Sequence, residues 1–98
     1  MMKMLIKLDE DKIVREKKYD INKINKYLAS AFDKRGMSKD KDGWYINGNF
    51  TTCGSLIIKL SKKDWFMDNV TDWLWFDSSD SSTDDLKAHY SRKRLAVG

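Results

Sequence analysis

The chain has 98 residues, of which 41% are hydrophobic and 35% charged, and its formal net charge is +4. Residues 1–98 therefore make a single domain with one modest core, and no run approaches the roughly 18 apolar residues of a membrane span. One cysteine excludes an internal disulfide, and one histidine with two glutamates excludes most metal cages and multi-histidine active sites.

Met2–Leu8 reads as a strand, because Met2, Met4, Ile6 and Leu8 alternate with Lys3 and Lys7. Leu5 breaks that alternation. Asp9-Glu10-Asp11 reads as a polar turn, and Lys12–Lys17 as a returning strand through Ile13 and Val14. Asp20 to Gly36 is the clearest element. Asp20 is placed as an N-cap, and Ile21, Ile24, Leu28, Ala31 and Phe32 form one apolar stripe at helical spacing. Gly36 is placed for a left-handed C-terminal cap.

Trp44-Tyr45-Ile46 reads as a short strand. Asn47-Gly48 then signals a tight hairpin. The return strand runs from Asn49 to Leu60, with Gly54 as a bulge. Ser61-Lys62-Lys63-Asp64 has capping-box spacing, so residues 62–68 are expected to make a turn or two of helix. Val70–Phe76 reads as a strand apolar on both faces, with Leu74 and Phe76 opposite Trp73 and Trp75. Asp77–Thr83 reads as a loop, and Ser82 or Thr83 as the cap of a last helix reaching about Arg94. The sum is an α+β domain: a mainly antiparallel sheet of four to five strands, one amphipathic helix packed on it, and a weaker C-terminal helix.

Charge is unevenly placed. Residues 1–41 carry 12 basic and 7 acidic side chains, and residues 64–85 carry seven aspartates and no base. The last 13 residues are basic again through Lys87, Arg92, Lys93 and Arg94. Lysine outnumbers arginine by 15 to 4, which disfavours bidentate reading of bases. The composition, rich in lysine, asparagine, isoleucine and aspartate, is that of an AT-rich bacterial genome or mobile element and carries no activity with it.

Catalysis finds little support. Cys53 has no identifiable base beside it, and His89 has no identifiable orienting group. The Asp77–Asp85 stretch fails the spacing of a calcium loop, with Ser82 at the sixth position and Ala88 at the twelfth. No glycine loop cradles phosphate. No enzyme activity, no cofactor and no metal site are therefore expected.

The most unusual feature is the aromatic group Trp65, Phe66, Trp73, Trp75 and Phe76 set among aspartates. Trp65, Trp73 and Trp75, with Asp68 and Asp72, are expected to form a protein-docking patch, in which aromatics supply affinity and carboxylates steer. At least one of Trp73 and Trp75 is expected to be exposed. The occupant is an unidentified protein or a second copy of the chain, giving a small accessory or regulatory protein. The alternative is a nucleic-acid-binding module using Lys23, Lys26 and Lys34 on one helix face and the tail Arg92, Lys93 and Arg94. With no leader or membrane span legible, a cytoplasmic location and no membrane partner are expected.

Overall fold

The computed structural model describes residues 1–97, and side chains through Arg92. The chain runs β1 (Met2–Leu8), α1 (Glu10–Glu16), α2 (Ile21–Asp33), β2 (Ser38–Lys39) and β3 (Trp44–Gly48). It continues α3 (Phe50–Ser61), α4 (Asp64–Met67), β4 (Val70–Asp77), β5 (Ser82–Asp85) and α5 (Leu86–Val97). The strands form one antiparallel sheet in the order β2-β3-β1-β4-β5. The α+β class and strand number match the expectation, while the described residues hold five helices rather than two.

The alternation in β1 works as expected. Met4 and Ile6 are buried in the core, with Met2 and Leu8 packed at its margin. Opposite them on β4, Met4 pairs with Trp75 and Ile6 with Trp73. All five helices send their buried residues to this one side. Ile13 of α1, Ile24, Leu28, Ala31 and Phe32 of α2, Cys53, Leu56, Ile57 and Leu60 of α3, Phe66 and Met67 of α4, and Leu86 of α5 join the same cluster. The result is two layers, with extents of 39 × 32 × 20 Å.

Helix α2 forms where its stripe predicts. The Asp20 carboxylate accepts from the Asn22 amide at 2.9 Å, and Gly36 takes φ +72 as the Met37 amide returns to the Phe32 carbonyl. Phe32 then stacks on Tyr45 of β3, with ring centroids 3.6 Å apart.

Several local expectations are corrected. Residues 12–17 belong to a helix, α1, capped by the Asp9 carboxylate on the Lys12 amide. Asn47-Gly48 makes no hairpin. Asn47 takes φ 67 at an irregularity in the β1–β3 register, and the chain turns into a helix instead of a return strand. Asn49 and Thr52 cap that helix reciprocally, the Thr52 amide donating to Asn49 Oδ1 and the Asn49 amide to Thr52 Oγ1. Cys53, Leu56, Ile57 and Leu60 recur at intervals of three and four, so a helix buries all four while Phe50 is left 70% exposed. A strand would have split that set between two faces. The turn of helix expected near residue 64 is present as α4, although no side chain caps it. Ser82 and Thr83 lie in β5, and the Asp85 carboxylate takes the capping role by accepting from the Ala88 amide at 3.0 Å.

Candidate functional site

With all five described helices on one side, the other side of the sheet has no helical cover among the described residues. Lys3, Leu5 and Lys7 of β1 point there, paired across to Phe76, Leu74 and Asp72 of β4. Trp44 lies beside Leu5, and Ile46 shares its side of β3. None of Leu5, Trp44, Ile46, Leu74 and Phe76 belongs to the core cluster or packs against it. Leu5, at the centre, is 9% exposed, and the other four are partly buried by one another. The Lys3 ammonium sits in the middle, 4.5 Å from the Trp44 ring centroid and 5.2 Å from that of Phe76. The ring faces hold the cation by their negative quadrupole. Among the described residues no carboxylate pairs with it, and the exposed Asp72 lies on this side, across from Lys7. The site is an apolar, aromatic surface with a framed cation at its centre and Asp72 at its margin on β4.

The residues expected to form the docking patch are dispersed. Trp73 is completely buried, its indole N–H directed at Met4 Sδ at 3.3 Å, between Phe66 and Tyr90. Trp75 is partly buried on the same side, with Phe50 over it at 6.1 Å. The expectation that one of these two rings lies exposed is corrected: both face the helices. Trp65 packs edge-on to Tyr27 at 5.3 Å on the helical layer. Asp68 is exposed at the end of α4, and Asp72 is exposed on the uncovered side of β4. Register explains the dispersal. Once Met4 and Ile6 of β1 are in the core, their partners Trp75 and Trp73 must be there too, and Leu74 and Phe76 are turned outward.

The basic residues behave differently. Lys23 and Lys26 of α2 and Lys34 at its C-cap line one groove of about 330 Å³ together with Arg35 and with Lys59 of α3. Tyr27, Ser30 and Ala31 complete the lining, and no carboxylate is among these residues. Arg35 is held in place, its Nε donating to Ser55 Oγ at 2.9 Å and its Nη1 to the Ala31 carbonyl at 2.8 Å. Lys59 and Lys63 place their ammonium groups 5.8 and 5.4 Å from the Tyr27 ring centroid. Arg92 lines a separate hollow with Ile57, Trp75, His89 and Tyr90. The side chains of Lys93 and Arg94 lie outside the described residues. Lys59 and Lys63 were not legible as partners of the helix face, since Lys59 comes from a segment that reads as strand and Lys63 from the separate turn of helix expected over residues 62–68.

Groups capable of covalent chemistry are poorly placed for it. Cys53 is fully buried, and burial pushes its thiol above the ordinary value, against smaller opposing pulls from Trp75 and Thr52. His89 is exposed, and its ring meets that of Tyr90 edge-on at 4.9 Å. The Asp77 and Asp80 carboxylates accept from the amides of Ser79 and Ser82, both at 2.9 Å, and so tighten the turn into β5. Hydrogen bonds from Ser82 hold the Asp80 carboxyl below its ordinary range. Comparison with protein-family models, with curated proteins and with solved structures finds no match.

Proposed function

We propose that this protein is a non-catalytic binding module whose uncovered sheet face docks a protein partner. The observation that carries the reading is the single set of Leu5, Trp44, Ile46, Leu74 and Phe76, held side by side away from the core. Aromatic residues in such a set supply most of an interface's affinity when they are desolvated. Lys3 specifies the partner's chemistry: a carboxylate flanked by apolar side chains would meet an ammonium that has no acid of its own. Desolvating that pair inside an apolar rim gives geometric selectivity more than raw affinity. Asp72 at the margin favours a basic group on the partner's rim. A second copy is a poorer fit, because a two-fold axis through the middle of the face sets Lys3 against its own copy. Nucleic acid gains little here, since Lys3 is framed by aromatic rings and Lys7 lies across from Asp72.

The test is selection of a displayed random-peptide library on the purified protein. Selected peptides should carry Asp or Glu between apolar residues. Binding should weaken at least tenfold in Trp44→Ser, Phe76→Ser and Lys3→Gln, each affected for its own contact, and stay unchanged in Lys41→Gln. Peptides that bind all four variants equally would sink the reading. Concentration-dependent dimerisation that the same three substitutions abolish would replace it with self-association.

A further inference from the structure

We infer that the groove between α2 and α3 is a second, independent binding surface, which takes the phosphate backbone of a nucleic acid without reading its sequence. Five cations line it: Lys23, Lys26, Lys34, Arg35 and Lys59. None makes an ion pair among the described residues, and no carboxylate lines the groove. Cations gathered from two helices repel one another, so the arrangement raises the energy of the free protein and is relieved by a polyanion. Tyr27 lines the same groove, and its buried hydroxyl makes no hydrogen bond among the described residues.

The dimensions favour a polymer over a single phosphate. From Lys23 to Lys34 the face of α2 extends about 16 Å at ~1.5 Å per residue. One nucleic-acid strand places a phosphate roughly every 3.4 Å along the duplex axis, so this length spans several of them. A membrane surface fits less well. An interfacial helix must bury an apolar face in lipid, and the apolar face of α2 (Ile24, Leu28, Ala31 and Phe32) is already buried in the core. Lysine's dominance, with the guanidinium of Arg35 already engaged by Ser55 and Ala31, argues for backbone contact alone. Arg35, pinned by Ser55 and Ala31, serves as the fixed point of the surface, and the lysines adapt around it.

The experiment is anisotropy titration of the full chain against labelled oligothymidylate and a labelled mixed-sequence duplex, at about 50 and about 200 mM salt. Binding should weaken log-linearly with salt, by about 0.7–0.9 in slope for each phosphate neutralised. Lys26→Gln/Lys59→Gln should lower the slope by about 1.4–1.8 and weaken binding at low salt at least tenfold. The paired control Lys18→Gln/Lys41→Gln, with the same change in net charge, should leave both unchanged. A stronger response to the single strand or to the duplex identifies the source of the phosphates. No binding to either at low salt overturns the inference, as does equal weakening by the control pair. Equally tight binding of polyglutamate, or of anionic vesicles, overturns it in favour of an acidic protein or a lipid surface. Trp44→Ser should leave nucleic-acid binding intact, so failure here is separable from failure at the sheet face.

Discussion

Gly48 lies directly against Cys53: a Cβ added at Gly48 would stand 2.7 Å from Cys53 Sγ and 3.0 Å from the Met2 carbonyl oxygen. This close approach lets the first turn of α3 rest on the end of β3. Met37 Cε, 2.8 Å away, can swing aside, but the sulfur of a fully buried side chain and a strand carbonyl cannot. Gly48→Ala should therefore cost about 1–3 kcal/mol by overpacking, read by urea denaturation. The cost should shrink in a Cys53→Ala background, because the two sites share the space. Equal costs in both backgrounds would show that the glycine answers to something else.

Gly54 is the opposite case. It sits inside α3, its φ is not positive, and a Cβ there meets nothing within 4 Å. Gly54→Ala should stabilise the protein by about 0.5–1 kcal/mol through the lower entropy of the unfolded chain. The gain should appear as a higher urea midpoint with an unchanged slope. A destabilised Gly54→Ala protein would contradict the helical assignment of this segment.

The two sides of β4 should respond unequally to truncation. Trp73→Ala opens a cavity in the core and should cost about 3–5 kcal/mol. Phe76→Ala loses partial burial and the Lys3 contact and should cost about 1 kcal/mol. Equilibrium unfolding of both variants measures the gap. Similar losses would mean that the sheet face is covered in solution.

Alkaline pH should weaken the fold in two stages. Burial raises the Cys53 thiol above its ordinary 9.0 and the Tyr45 phenol above its ordinary 10.0. Below those values both groups are neutral in the folded and unfolded chains, and their stabilising effect is fully present. Above them the unfolded chain releases protons that the folded chain retains, so stability falls as pH rises toward the folded pKa values. Cys53→Ala should flatten the curve between about pH 8.5 and 10, leaving the Tyr45 loss above that. Denaturation midpoints across this range check it. A fall of the same size in Cys53→Ala would rule out the thiol as its source.

The strand at β1, the capped stripe of α2 and the double-faced strand at β4 were legible because each depends on local chemistry and one period. The groove cations on α2 were legible for the same reason: a helix with a buried stripe must turn Lys23, Lys26 and Lys34 outward. The segment after Asn47-Gly48 was not. Those two residues suit a hairpin and equally suit a kink before a helix, and Asn49 with Thr52 supplies a cap visible only once the helix is considered.

Sequence by itself determined that residues 70–76 carry apolar side chains on both faces and that one antiparallel sheet with packed helices would use them. It could not say which face lies under the helices, because a period of two treats both alike. Tertiary structure decided that through register: β1 commits Met4 and Ile6 inward, pairing places Trp75 and Trp73 beside them, and five helices close over that side. Leu74 and Phe76 are left facing out with Trp44 around Lys3. Long-range pairing also brought Lys59 to the lysines of α2, a meeting that no local pattern encodes because it depends on how two separate helices pack.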